Sequence, residues 1–308
     1  MLLAMGFHDV DTRTPEPLIV VGVDGSEGSN AALRWAVEEA KLTGDRVEAV
    51  SVWPVATVTH GLAVPGVDDV TAESTTAEEV HAALAGTGPV DVPVNVKCMY
   101  GNPRVVLRRA AASRPADLVV IGRTHEYLGY EVLAGSVGRA VRRNASRPVV
   151  VVPPSWGCSP RTDVIAVGMD GTRRARAALR WAMAEAGRRH ATVRAVLAWD
   201  SSSRAHAAGA LSVVADSHRA AQAKAEEIVT DEIRLTRESL PGLSEVEVIP
   251  VAAHAAAHVA LLRESAGADL LVLGDHRRLE LDELLLGSTT RVCLRHAVPP
   301  VVLVPNVP

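Results

Sequence analysis

The chain has 308 residues, of which 48% are hydrophobic and 22% are charged, and its formal net charge is −4 at pH 7. Because domains usually hold about 100 to 200 residues, this length favours two globular domains. The mixed charges provide no basic surface for DNA or RNA, and no apolar run reaches the roughly 18 residues of a membrane span. We therefore expect a cytoplasmic protein without nucleic-acid or membrane partners.

The first half of the chain begins with a segment that lacks the pattern of an ordered element. MLLAMGF has no basic flank and runs into acidic HDVD, so we expect residues 1–15 to be a flexible N-terminus. LIVVGV then predicts a strand, and SNAALRWAVEEAKLTG predicts a helix with Leu33, Val37 and Ala40 on one face before Gly44.

Further strands and helices alternate after this first pair. VEAVSVW predicts a second strand, TAEEVHAALA a helix, and the alternating valines from Val90 to Val96 a third strand. RVVLRRAAA predicts a helix, ADLVVIG a fourth strand, SVGRAVRRNA a helix and PVVVVP a fifth strand. The last two strands are continuously apolar, as parallel strands covered on both faces tend to be. This order predicts an α/β fold with a doubly wound, five-stranded parallel sheet of Rossmann-like type, flanked by helices.

The same pattern occurs twice. VGVDGS and ALRWA return as VGMDGT and ALRWA 146 residues later, and ADLVVIG returns as ADLLVLG 152 residues later. Between the copies lies a segment rich in Pro, Ser and Gly, PPSWGCSPRTD. We assign the first domain to residues 16–154, the linker to 155–162 and the second domain to 163–308.

Most common catalytic and metal-binding motifs are absent from the sequence. The three cysteines share no CxxC spacing, and none of the three lysines follows a glycine, which excludes a Walker A loop. GxGxxG, GxSxG and HExxH are also missing. His254 and His258 in HAAAH could share a helix face, but a metal site usually needs three or more protein ligands, so we predict no metal site.

A candidate ligand site lies where strands one and four end. In an open parallel sheet, ligands bind beyond the carboxyl ends of the strands at the topological switch point, where Asp24 and Gly122 should be close together. Asp24 could accept hydrogen bonds from ribose hydroxyls or an adenine amino group, and Gly122 would let a phosphate approach the backbone. Ser136 opens a helix whose free N–H groups favour an anion. The alternative is that Gly122 and Gly135 merely end a strand and begin a helix.

These residues, together with the Gly135–Ser136 and Gly287–Ser288 segments, resemble the universal stress protein family. The phosphate motif of that family is Gly, two residues, Gly, nine residues, Gly and then Ser or Thr. The resemblance covers nearly the whole chain twice. His125 and Arg277 occupy the middle glycine positions. The resemblance implies ATP as the ligand, with Val23 and Val52 lining the base. The implied site comprises Val23, Asp24, Val52, Gly122, His125, Gly135, Ser136 and Val137 in copy one, and Asp170, Gly274, Gly287 and Ser288 in copy two.

The resemblance implies a regulatory or stress-response module that binds adenine nucleotide and is not an enzyme. The alternative is a nucleotide-independent interaction module with empty loops. Arg123 and His125 could donate to phosphates or be solvated. The family's last strand implies domain pairing or a dimer edge, here at residues 149–152 and 301–304, and we expect intramolecular pairing and a homodimer.

We expect ATP to favour copy one for two reasons. In copy two, Asp275 would place a carboxylate beside the phosphates, where like charges repel. In copy one, Gly101 follows the third strand and permits a tight turn before the next helix. The corresponding segment of copy two, AAHAAAH, has no glycine.

Overall fold

A computed structural model describes residues 17–53, 57–59, 62–64, 69–85, 90–103, 105–107, 109, 116–123, 147–158, 160–199, 218–275 and 287–305. The strands of the first copy are β1 (Leu18–Val23), β2 (Arg46–Trp53), β3 (Thr57–Thr59), β4 (Leu62–Val64), β5 (Val94–Tyr100), β6 (Ala116–Gly122) and β7 (Val149–Val152). Those of the second copy are β8 (Val164–Met169), β9 (Thr192–Trp199), β10 (Val248–His254), β11 (Leu270–Gly274) and β12 (Val301–Val304).

The described helices pack on both faces of the sheet. They are α1 (Glu27–Thr43), α2 (Asp69–Leu84), α3 (Arg173–Arg189), α4 (His218–Glu238), α5 (Ala257–Ser265) and α6 (Ser288–His296), with a short 3-10 turn at Pro241–Leu243. None of these helices is both long and apolar enough to cross a membrane. α1 to α4 contribute to the hydrophobic cluster on one face, and α5 and α6 contribute to the cluster on the other.

Several elements have the bounds that the sequence predicts. β1 and β6 coincide with LIVVGV and ADLVVIG, and the predicted α1 face of Leu33, Val37 and Ala40 is buried. Gly44 ends α1 in the left-handed conformation with φ of 77°, which glycine adopts without steric penalty. Local pattern therefore specifies the first strand–helix unit.

Two predicted elements begin four or more residues away from their predicted starts. The third strand, β5, starts at Val94 rather than Val90, and Pro93, which has no N–H to donate, directly precedes it. Val90 and Val92 precede the strand and still pack, partly buried, against the core. The helix predicted at Thr76 begins at Asp69, and buried Ala72 adds an apolar turn that the predicted segment omits.

The sheet order confirms the doubly wound fold. The ten main strands run β10-β9-β8-β11-β12-β7-β6-β1-β2-β5, and β3 pairs separately with β4. β1 lies between β2 and β6, so the chain builds outward through β2 and β5 and then returns to the other side of β1. β8 occupies the same position between β9 and β11 in copy two. Each copy thus has its topological switch point beside its first strand.

The two copies join through their last strands, as the sequence predicts. β7 and β12 are antiparallel, with Val151 opposite Val301 and Val149 opposite Leu303. All eight residues of these strands are buried. The pairing closes two apolar edges that would otherwise expose unpaired backbone groups and promote aggregation.

Candidate functional site

Asp24 forms the turn between β1 and α1. Its Oδ1 accepts hydrogen bonds from the Ser26 N–H at 3.1 Å and the Ser26 hydroxyl at 2.6 Å. Ser26 Oγ in turn caps α1 by accepting the Ser29 N–H at 3.1 Å. Gly25 lies between them with φ of 74°. An aspartate that bonds to the backbone two residues on fixes a tight turn, so Asp24 organises the end of β1 while its side chain remains exposed.

The second copy repeats this turn with the same hydrogen bonds. Asp170 Oδ1 accepts from the Thr172 N–H at 3.0 Å and the Thr172 hydroxyl at 2.6 Å. Thr172 Oγ1 accepts the Ala175 N–H at 3.3 Å, and Gly171 has φ of 73°. The internal repeat therefore extends to individual hydrogen bonds at the carboxyl edge of both half-sheets.

Gly122 ends β6, which pairs with β1, and it lies against the start of α1, the helix that follows this turn. A methyl group added to Gly122 would lie 2.3 Å from the Gly28 carbonyl carbon and 2.5 Å from the Ser29 nitrogen. These contacts are too short for any side chain, so the first turn of α1 crosses the end of β6 backbone against backbone. Gly122 is thus required for strand–helix packing, whatever a ligand gains from it.

Gly274 has the same role in the second copy. A methyl group there would lie 2.8 Å from the Arg174 carbonyl carbon, at the start of α3. Arg174 takes the position of Gly28, and the crossing is correspondingly less tight. The simpler reading of these two glycines, that they serve local packing, therefore has direct support at both positions.

α6 begins where the sequence predicts a phosphate-binding helix start in copy two. Gly287 is its N-cap, Ser288 its first residue, and the Arg291 N–H donates to the Gly287 carbonyl at 3.1 Å. No side chain of the described residues caps this terminus. The first N–H groups of an uncapped helix favour an anion. The corresponding residues of copy one, Gly135, Ser136 and Val137, lie outside the described residues, as does His125.

Arg123 does not extend into the loop as a phosphate donor. Its Nη1 donates to the Ala297 carbonyl at 2.7 Å, at the end of α6 in the other copy, and its N–H donates to the Val152 carbonyl at 2.7 Å. Partial burial lowers the pKa of the guanidinium. Asp275, which corresponds to Arg123, is 3% exposed, and its N–H donates to the Val304 carbonyl at 2.8 Å. Asp275, whose carboxylate is predicted to lie beside the phosphates in copy two, is therefore buried.

The predicted base-lining valines lie at the ends of neighbouring strands. Val23 is buried as the last residue of β1, and Val52 is half-buried near the end of β2. No sequence motif points to Glu79 in α2, whose Oε1 lies 2.8 Å from the position of a methyl group added to Gly25. Partial burial raises the pKa of Glu79, and the nearby Asp24 raises it further. Copy one thus brings a second carboxylate to the Asp24 turn.

Copy two differs at this place. Ile228 is the nearest side chain to Gly171, at 4.0 Å from an added methyl group. Close by, Arg176 Nε lies 2.8 Å from Glu232 Oε2 in an ion pair. Burial raises the pKa of Glu232 and Arg176 lowers it, and the net direction is upward. The two candidate sites therefore share their turns but present different side chains around them.

The residue that follows the third strand makes the same hydrogen bond to the neighbouring strand in both copies, although copy two has no glycine there. Gly101, with φ of 130°, donates its N–H to the Trp53 carbonyl at 3.0 Å, and Ala255 donates to the Trp199 carbonyl at 3.1 Å. Alanine thus makes the corresponding bond without a glycine. The HAAAH histidines also do not share a helix face, because His254 ends β10 and stacks on Trp199 with ring centroids 4.2 Å apart. The described residues hold no group of three or more metal-binding side chains.

Comparisons with known proteins agree with this tandem architecture. The model of the Universal stress protein family matches residues 18–153 and again residues 162–305. A crystal structure of a universal stress protein from Archaeoglobus fulgidus DSM 4304 superposes with a TM-score of 0.63 at 18% identity, covering 94% of this chain and 98% of that one. At this identity the likeness concerns the fold.

Curated relatives extend over nearly the full chain. Universal stress protein Rv2005c of Mycobacterium tuberculosis is 28% identical over 294 residues, covering 92% of this chain and 96% of its own length. A universal stress protein of Mycolicibacterium smegmatis is 26% identical over 295 residues, covering 93% and 96%. With both halves matched by the family model, the chain belongs to the universal stress protein family and contains two tandem domains of that family.

Proposed function

We propose that this protein binds ATP at the carboxyl edge of its first domain and acts in the cytoplasm as a regulatory or stress-response module. The observation that carries the proposal is the meeting of the Asp24 turn and the end of β6 at the topological switch point. Ligands of open α/β sheets bind at this place. Asp24 is exposed there, with a carboxylate suited to accept hydrogen bonds from ribose hydroxyls or an adenine amino group.

The proposed phosphate-binding segment is supported by the helix start in the second copy. Gly287 and Ser288 begin α6 without a side-chain cap among the described residues, which leaves N–H groups for an anion. Gly135 and Ser136 have the same place in the repeated sequence. We therefore assign the phosphates of ATP to the Gly135–Ser136 segment in copy one, with weaker binding at Gly287–Ser288.

We further propose that binding leads to no catalytic turnover. Ser26 donates its hydroxyl hydrogen to Asp24 at 2.6 Å, but the same hydroxyl oxygen caps α1, so we assign this pair to holding the turn rather than to activating a nucleophile. Sustained ATP hydrolysis by the pure protein, lost on substituting Gly135 or Ser136, would contradict this part of the proposal.

The second candidate function is a nucleotide-independent interaction module. Two observations favour it. Gly122 is required by its contact with Gly28, and Arg123 is engaged with Ala297 in the other domain. Both residues thus have partners within the chain. A homodimer, which either function permits, would need a surface other than β7 and β12, because these strands pair with each other.

One experiment separates the two functions. The full-length protein is purified without added nucleotide and denatured, the released small molecules are analysed by mass spectrometry, and the stripped protein is titrated calorimetrically with ATP. We expect released adenine nucleotide and saturable ATP binding. No released nucleotide, together with no heat of binding, would favour the interaction module.

A further inference from the structure

The interface between the two domains contains a buried group of charges. α1 and α3 pack against each other beside the β7–β12 pairing, and the corresponding positions of these helices hold Glu39 and Glu185. The side chains of both glutamates are almost fully buried, at 3% and 0% exposure. Two carboxylates without cations would strongly destabilise such an interface, since a buried charge needs a partner.

Arg189 of α3 supplies the cation to both carboxylates. Its Nη2 forms an ion pair with Glu39 and its Nε an ion pair with Glu185, and its side chain is only 10% exposed. The guanidinium carbon also lies 6.0 Å from the centre of the Trp35 ring. The planar fork of arginine suits two acceptors at once, which a lysine ammonium would contact as a single point charge.

The charges around this arginine come unequally from the two domains. Arg188 donates through Nε to Glu185 at 3.2 Å, which adds a second cation from copy two. The positions in copy one that correspond to Arg188 and Arg189 hold Leu42 and Thr43. Copy one adds the buried Asp45, whose carboxylate is within electrostatic range of Arg188.

The remaining charged groups at the rim are paired among themselves. Glu38 of α1 contacts Lys41 at 2.9 Å and Arg161 of the interdomain segment at 3.7 Å. These side chains are 30% exposed or more, so solvent screens them. The buried charged groups are therefore Glu39 and Asp45 from copy one and Glu185 and Arg189 from copy two, whereas the Arg188 side chain is 40% exposed.

We propose that Arg189 makes this surface selective for its partner, so that copy one pairs with copy two and not with a second copy one. Pairing of two first domains through the same faces would bring two Glu39 carboxylates together without an arginine. Pairing of two second domains would keep each Arg189 with its own Glu185 but would offer it no Glu39. Pairing of two first domains would leave two buried carboxyl groups without a cation, and such mismatches are how interfaces reject wrong partners. The intramolecular pairing instead places Arg189 between the two glutamates.

The near-symmetry of the two helices provides a sharp test in the full-length chain. R189T introduces the residue found at the corresponding position of copy one and leaves Glu39 unpaired. T43R/R189T moves the arginine to the opposite side of the interface, where its fork can again lie between the two glutamates. A surface variant, R234T, controls for loss of an arginine, since Arg234 pairs with Glu238 on the exposed side of α4.

Amide hydrogen exchange of β7 and β12 reports the pairing directly. We expect R189T to accelerate this exchange by at least tenfold and to promote concentration-dependent association, as the strand edges open. T43R/R189T should restore most of the protection, and R234T should match the unmutated protein. If R189T is insoluble but T43R/R189T folds with protected amides in β7 and β12, that result also supports the proposal. Normal protection in R189T, or a double variant no better protected than R189T, would overturn it.

Discussion

Arg123 at the end of β6 donates from Nη1 to the carbonyl oxygen of Ala297 at 2.7 Å, and so joins the first domain to the C-terminus of α6 in the second. The last carbonyls of a helix lack intrahelical donors and carry partial negative charge, so a cation is favoured there. α6 also begins at Ser288, in the candidate anion site of copy two. One helix therefore connects the strand edge of one domain to the candidate site of the other.

Loss of this bond should destabilise the folded chain. We expect R123M, which keeps much of the packing volume, to lower the free energy of unfolding by about 1.5 to 3 kcal/mol, the range for hydrogen bonds to charged groups. Denaturant unfolding measures the change. R147M is the matched control, because Arg147 lies 3.7 Å from Asp117 in an exposed ion pair. Equal effects of the two substitutions would show that the Arg123 bond contributes little.

Replacing Gly122 should damage packing independently of any ligand. In G122A the new methyl group would meet the Gly28 backbone, which cannot rotate away as a side chain can, so we expect a loss of about 3 kcal/mol or more in the free energy of unfolding. G274A should cost less, because its nearest contact is 2.8 Å rather than 2.3 Å. G242A, which meets nothing within 4 Å, is the control. A G122A protein as stable as G242A would contradict the close crossing.

The interface glutamates should make stability depend on pH. Burial and the nearby Glu185 raise the pKa of Glu39 from 4.5 to about 8. Burial also acts to raise the pKa of Glu185, but Arg189 and Arg188 outweigh it and lower that pKa. Because the folded chain holds the Glu39 proton that the unfolded chain releases near pH 4.5, this contribution to stability falls as pH rises from 4.5 to about 8.

Substitution of Glu39 should remove that dependence. The amide of E39Q stays neutral, so we expect similar stability to the unmutated protein near pH 4.5 and greater stability near pH 8, with a difference that grows by up to ~1.4 kcal/mol per pH unit between these values. Denaturant unfolding at several pH values measures it. E38Q changes the partly exposed neighbouring glutamate, and its free energy of unfolding should depend on pH as that of the unmutated protein does. Parallel curves for E39Q and the unmutated protein would show that Glu39 is not protonated in the interface.

ATP, under the proposed function, should favour copy one. The buried Asp275 carboxylate begins the copy-two loop, and a like charge of this kind disfavours phosphates by about 1 kcal/mol or more, enough for a several-fold preference. Calorimetric titration of G135D and G287D tests the order, with G242D as a control for the added charge. We expect G135D to lose the tighter binding. Loss of ATP binding in G287D but not in G135D would reverse the assignment.

Sequence patterns predict the tandem repeat and the strand–helix alternation, and the family resemblance implies the pairing through the last strands. These features depend on patterns within a few residues, such as the apolar runs of β6 and β7, or on the repetition of such patterns. The same holds for the Asp24 turn, where Asp, Gly and Ser follow one another in the chain. The late start of β5 was also readable in principle, since Pro93 directly precedes it.

The role of each polar group near the site depends on contacts between distant parts of the chain. Arg123 and Ala297 are 174 residues apart in sequence, and Arg189 and Glu39 are 150 apart, so no local pattern relates them. The sequence alone is compatible with Gly122 as a phosphate contact or as a packing residue, and its close contact with the Gly28 backbone shows the packing role. Glu79 reaches the Asp24 turn only because α2 packs beside α1. Periodicity reports which face of an element is buried, whereas the partner on that face depends on how distant segments meet in the folded chain.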